Sequence, residues 1–342
     1  MSNIHLSLCI ATLNRAAFLA ITLQSIITQA TNEVEIVVVD GASTDNTAEV
    51  IATAKKTFPR IRYLCLAEKG GVDRDYSKAV ELAQGEYCWL FSDDDILKPG
   101  AIRTVLEAIH DQHGLIIVNA ECRNSDLSQV IETRRLSVNA RRVYALSENE
   151  QFFIDVVYYM SFIGGVVVRR DIWNNREKEK YFGTSFIHIG VIFQRPFDFD
   201  ALVIAEPLIA IRLGNAEWSS RAFEIWMFKW PALIWSFSHY SDVARASVVK
   251  REPWRKLTAL LRYRARGAYS MMVYNQWLKS RLTPGWRNFG ARLIALIPEC
   301  FANIIGLLYY SIVRYSQIEL LDLRLSRSYY RNCIAQLFKG FN

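Results

Sequence analysis

Three carboxylates stand side by side at Asp93, Asp94 and Asp95, just after the apolar run Tyr87-Cys88-Trp89-Leu90-Phe91 and Ser92. Adjacent acids repel one another unless a cation or hydrogen-bond donors hold them. Hard divalent ions such as Mn2+ and Mg2+ take carboxylate oxygens together with phosphate oxygens. A cation held there can neutralise a departing diphosphate, which is Lewis-acid chemistry. The plainer alternative is a solvated acidic turn capping the helix that opens after Pro99-Gly100. Two further side chains have types suited to the same chemistry. Arg212 follows an apolar run, and a guanidinium fork matches phosphate oxygens. His188 sits among apolar residues in the stretch 181–194, where imidazole can act as a base or a metal ligand; its plainer alternative is a hydrogen-bonded core histidine.

The elements that must position these groups are legible from hydrophobic runs. Residues 6–11 and 35–39 read as strands, and so do 61–66 and Tyr87–Phe91. Helical patterns follow Asn14, Asp45, Gly70-Gly71 and Pro99-Gly100. Strands alternating with helices predict an α/β fold with a mostly parallel sheet and right-handed crossovers. Polar groups collect after the strands' carboxyl ends: Thr12, Asn14 and Arg15; Asp40; Asp73 and Arg74; Asp93 to Asp95. That edge is where open α/β sheets bind ligands. Further along, 115–119, 165–169, 202–205 and 208–212 are strand-like. Gly164-Gly165 can admit an acceptor close to the backbone; the plainer alternative is a bend at the strand entry.

The order of these motifs carries a resemblance. ATLNR after the first strand, VVVDGASTDNT after the second, and then GGVDRDYSKAVELAQGEYCWLFSDDDILKPG resemble the family 2 glycosyltransferases over roughly residues 5–110, with a weaker continuation to about 215. The whole chain is similar to bacterial enzymes that build O-antigen or capsule units, the abequosyltransferase-like group among them. The resemblance implies a GT-A fold, Rossmann-like with flanking helices. It also implies transfer from a nucleotide-diphosphate sugar with Mn2+ or Mg2+ as cofactor. Thr12, Asn14 and Arg15 would lie along the nucleotide, Asp40 would face the base, and Asp73 and Arg74 would sit near base and ribose. Asp93 and Asp95 match the ends of a D-x-D motif. In the alternative frame, D-x-D-D, Ser92 replaces the first acid and Asp94 and Asp95 carry ribose and metal. Asp95 belongs to both frames and ranks first as metal ligand, with Asp93 and His188 beside it; Asp94 joins His188 as a catalytic candidate, and Arg212 would close over the diphosphate.

Two departures stand out. Gly41 occupies the place where the family carries a second acid. No acid stands in 181–194, where inverting members place their base, so inversion is the expectation and retention stays open. A catalytically inactive scaffold is the alternative this leaves. A sugar-nucleotide pyrophosphorylase is discounted because ATLNRAAF lacks the glycine-rich loop such enzymes have after the first strand.

The chain has 342 residues, of which 51% are hydrophobic and 22% charged, and a formal net charge of +7; that length and composition place it among folded proteins of one or two domains. The charge is uneven: residues 216–342 hold 19 basic and 7 acidic residues, whereas 1–215 hold 22 and 27. We therefore expect a catalytic domain over 1–215 and a helical, basic region over 216–342. The six cysteines form no C-x-x-C pair and read as free buried thiols in a reducing compartment. No secretory signal is expected at the N-terminus. From 218 onward tryptophans interleave with arginines, a composition suited to an anionic headgroup region. The apolar run 293–313 is interrupted by Pro298, Glu299 and Asn303. It reads as an interfacial or shallowly embedded helix pair, with a buried helix at a homo-oligomer contact or a true span as alternatives. The expected partners are a saccharide acceptor linked to undecaprenyl diphosphate and the inner-membrane surface, on whose cytoplasmic face the protein would sit peripherally. No nucleic-acid module appears.

Overall fold

The computed structural model describes residues 4–215 and 221–326. Trp218 and Cys333 lie outside the described residues. Two compact units are present: residues 4–212 with Leu233–Val248, and residues 213–232 with 249–326. The segment Leu233–Val248, which sequence reasoning assigns to the C-terminal region, packs with the first unit.

The first unit alternates strands and helices from its start. Its elements are β1 (Leu6–Thr12), α1 (Ala16–Ile27), β2 (Val34–Asp40), α2 (Thr47–Thr57), β3 (Ile61–Cys65), α3 (Val72–Leu82), β4 (Tyr87–Phe91), β5 (Ile96–Leu97), α4 (Ala101–Ile109) and β6 (Leu115–Arg123). There follow β7 (Val130–Glu132), β8 (Arg142–Tyr144), α5 (Asn149–Val156), β9 (Val166–Arg169), α6 (Arg170–Asn174), α7 (Ile187–Phe193) and β10 (Ala201–Arg212). The sheet order is β3-β2-β1-β4-β9-β6-β10-β5. β3, β2, β1 and β4 are parallel. β2 and β4 are buried along their whole length, as mostly apolar strands covered on both faces are. Beyond β4 the sheet turns mixed, because β9 runs antiparallel between β4 and β6.

Two differences from expectation have physical causes. Residues 202–205 and 208–212 are one strand, β10, whose register on β6 shifts between Ile204 and Ile209. Pro207 lacks the N–H a regular ladder needs, and the side-chain amide of buried Asn119 donates to the Ala205 carbonyl across the irregularity, at 3.0 Å. Among the cysteines, Cys9, Cys88 and Cys122 are buried, whereas Cys65, at the end of the edge strand β3, is exposed and Cys300 is half-buried.

Register explains why polar groups gather at one edge. Thr12 pairs with Asp40, and Ile10 pairs with Phe91. β1 and β2 therefore end level while β4 ends opposite Ile10, and the segments that follow the three strands emerge side by side.

The second unit is helical, with a core built on Phe223, Trp254, Leu260, Tyr269 and Leu278. The run 293–313 is not one helix: Trp286–Leu296 and Glu299–Val313 are bent by 100° at a short break, which falls at Pro298. Among the described residues no single helix is long and apolar enough to cross a membrane, although this bent pair passes by length and composition. It leaves Trp286, Phe289, Phe301, Leu308 and Ile312 exposed.

Candidate active site

The acid turn is held from three elements. Asp93 Oδ2 accepts the hydroxyl proton of Thr12, at the end of β1, over 2.7 Å. Arg15 lies between Asp93, 3.2 Å from its Oδ1, and Asp94, which it grips through Nη2. Thr22, buried on α1, donates to the backbone carbonyls of Asp93 and Asp95 at 3.0 and 2.7 Å. From β10, the Arg212 backbone N–H reaches Asp95 Oδ1 at 2.8 Å, while its side chain donates to the carbonyls of Asp94 and Ser125. The guanidinium groups of Arg15 and Arg212 share the ring of Phe18, at 4.9 and 5.1 Å from its centroid. Both frames of the acid motif thus occupy one site with both arginines. Sequence reasoning missed Thr22 and Phe18, which look like ordinary members of an amphipathic helix.

Charge is not balanced here. Burial pushes the Asp95 carboxyl well above the usual carboxylate range. Asp94 and then Asp93 add to the shift, and the Arg212 N–H and the Arg15 charge oppose it. A buried acid destabilised in its ionised form by two like charges is what a divalent cation relieves. Arg212 Nη2 is buried with no hydrogen-bond partner among the described residues, and a buried guanidinium N–H left unmet is costly. A diphosphate with a bound cation would answer both deficits, so the residues fit Mn2+ or Mg2+. Among the described residues no three His, Cys, Asp or Glu side chains converge as a complete metal cage; the carboxylates would share the ion with ligand oxygens.

A second group of acids flanks the first. Asp40 Oδ1 accepts the Ser43 N–H at 2.8 Å, and Oδ2 accepts the Tyr63 hydroxyl at 2.7 Å. Asn14, at φ 54°, ties the loop after β1 to the loop after β2 by accepting the Thr44 N–H at 2.7 Å. Asp73, buried on the first turn of α3, accepts the N–H groups of Ser185 and Ile187 at 2.8 and 3.0 Å. It thereby fixes the chain entering α7. Arg74 lies over the Phe182 ring at 5.1 Å.

His188 differs from its expected role. It is buried on α7, and its Nε2–H donates to the Met160 carbonyl at 2.6 Å. Nδ1 is buried with no partner among the described residues. Burial lowers its pKa to about 4, against a small opposing effect of the Met160 bond. A ring so held is neutral at physiological pH and weakly basic, the condition of a packing histidine more than of a proton acceptor. Gly164 and Gly165 also have packing reasons: a Cβ at the first would meet Phe162 at 2.4 Å, and at the second Tyr159 at 2.8 Å.

A parallel half-sheet with an acid turn and two arginines at its carboxyl edge defines a GT-A type of α/β fold. Among solved structures, S. aureus TarS residues 1–349 in complex with UDP superposes with a TM-score of 0.58, covering 96% of this chain and 91% of that one at 12% identity. The mannosyltransferase PcManGT from Pyrobaculum calidifontis, in complex with GDP-Man and Mn2+, gives a TM-score of 0.52, with 94% and 86% covered at 14% identity. These establish the fold. The family model described as Glycosyl transferase family 2 matches residues 7–172. It is 29% identical over 231 residues to the abequosyltransferase RfbV of Salmonella typhimurium, covering 61% of this chain and 67% of that protein. It is 24% identical to the GalNAc(5)-diNAcBac-PP-undecaprenol beta-1,3-glucosyltransferase of Campylobacter jejuni, with 61% and 70% covered. The chain thus has homologues among bacterial glycosyltransferases that act in polysaccharide synthesis.

Proposed function

We propose that this chain is a metal-dependent glycosyltransferase of bacterial surface-polysaccharide synthesis. It moves a sugar from a nucleoside-diphosphate donor to a saccharide carried on a lipid diphosphate, such as undecaprenyl diphosphate. The observation that carries the reading is the Asp93–Asp95 turn, gripped by Arg15 and backed by Arg212 with a buried N–H left over. Asp95, with Asp93, would hold Mn2+ or Mg2+, which when bound supplies positive charge against the leaving diphosphate. Arg212 offers Nη2 to a diphosphate oxygen. Arg15 holds Asp93 and Asp94 in place, and Thr12 orients Asp93. The acceptor oxygen forms its bond to the anomeric carbon as the bond from that carbon to the diphosphate breaks, and the acceptor's hydroxyl proton leaves to a base.

The lipid-linked acceptor is supported by the second unit. Trp286, Phe289, Phe301 and Ile312 are exposed, with exposed Arg281, Arg287, Arg292 and Arg314 on the same segments. Exposed aromatics among arginines suit the headgroup region of an anionic bilayer. In this reading the protein sits peripherally on the cytoplasmic face of the inner membrane.

The test is calorimetric titration of the purified chain with UDP, GDP, CDP and dTDP, with Mn2+ and with chelator. One nucleotide should bind, and removing the metal should weaken it at least about tenfold. A folded protein that binds none of the four, or binds equally well in chelator, sinks the proposal.

A further inference from the structure

Gly41 leaves a gap where the family resemblance leads one to expect a second acid, and the structure shows what occupies it. A Cβ at Gly41 would lie 3.2 Å from Oδ2 of Asp75, a residue on the first turn of α3. A Cβ at Gly70 would lie 2.8 Å from Oδ1 of the same carboxylate. Two glycines from different loops thus make room for one acid, which reaches the base end of the edge from another element. Asp75 is 5% exposed, and its Oδ1 is buried with no hydrogen-bond partner among the described residues. Its neighbours are already engaged: Asp40 holds Ser43 and Tyr63, and Asp73 holds the chain entering α7.

We propose that Asp75 reads the nucleobase of the donor, its carboxylate accepting a hydrogen bond from an N–H on the base's pairing edge. This rests on the donor-site reading above. A buried acceptor without a donor is unfavourable in the free protein and becomes favourable when a ligand supplies the donor. The charges facing it agree. Burial raises its pKa to about 6, with Asp40 and Asp73 adding and Lys69 opposing, so the unliganded site disfavours the very charge a base N–H would stabilise. Every nucleobase of the common sugar nucleotides carries such a donor: a ring N–H in uracil, thymine and guanine, an amino group in cytosine. The flanking Gly70-Gly71, exposed to half-buried, is the side from which the base edge can approach.

The experiment compares wild type with Asp75→Asn. Each is titrated in Mn2+ with all four nucleoside diphosphates and with inorganic pyrophosphate, a probe lacking the base, and thermal melts report the fold. The expected result is a loss of roughly 10-fold or more for the preferred nucleotide, a flattened ranking of the four, unchanged pyrophosphate affinity and a melting temperature no lower than wild type. An unchanged affinity and ranking in the variant overturn the assignment of Asp75 alone. Parallel loss of nucleotide and pyrophosphate with a lowered melting temperature also overturns it, since that is the signature of a structural role. Wild type that binds none of the four overturns the donor-site reading and Asp75 with it.

Discussion

Two groups of three carboxylates lie along the same edge of the sheet, and they are treated differently. Asp93, Asp94 and Asp95 are consecutive, and the chain brings Arg15, Arg212, Thr12 and Thr22 around them. Asp40, Asp73 and Asp75 come from two elements, β2 and α3. Asp40 and Asp73 are satisfied by hydroxyl and backbone N–H donors, while Asp75 is left with an unmet oxygen. The first group sets three adjacent carboxylates against two arginines, the arrangement a bound cation would relieve. In the second, two acids build loops and one is kept in reserve. Proximity of acids therefore does not define a site; the state of each oxygen does.

The largest test of that contrast is Asp95→Asn. The amide keeps an oxygen for the Arg212 N–H and removes a buried charge that its neighbours oppose, so the fold should hold or gain stability. Transfer should fall at least about 100-fold, since charge stabilisation of the leaving group is worth roughly 3 kcal/mol or more. A radiolabelled-donor transfer assay reads it, and an active variant would remove Asp95 from the metal site. Asp73→Asn should act in the opposite sense. One of two charge-assisted bonds to Ser185 and Ile187 is lost and the other weakened, costing about 2 kcal/mol of stability in urea unfolding. Stability equal to wild type would mean the chain entering α7 is held by something else.

Much of this was legible in the sequence, for a local reason. β1, β2 and β4 are mostly apolar runs ended by polar turns, and their boundaries fall within about two residues of expectation. The acid turn was legible because its three residues are adjacent. What escaped depends on partners distant in sequence. The antiparallel insertion of β9 between β4 and β6 is invisible to a pattern of alternating strands and helices. His188 reads as chemistry until its ring N–H is seen to donate to the carbonyl of Met160, 28 residues away. Gly41 reads as the loss of an acid, because nothing local says that Asp75, across two loops, fills the space.

The smallest predicted effect is also the most direct test of the reserve acid. The folded Asp75 carboxyl keeps its proton up to about pH 6, and an unfolded aspartate up to about pH 4. Between those values the native state binds more protons than the unfolded one, so native stability falls as pH rises through this window. The penalty is absent below about pH 4 and complete above about pH 6. Asp75→Asn removes it. The variant should therefore be more stable than wild type at pH 7.5 by about 1–2 kcal/mol, with the difference shrinking as the buffer is brought to pH 4. Urea unfolding at steps between those values measures the difference. Should the variant prove less stable at neutral pH, or the gap fail to close on acidification, Asp75 would already be satisfied in the folded protein, and the two acid groups would be alike after all.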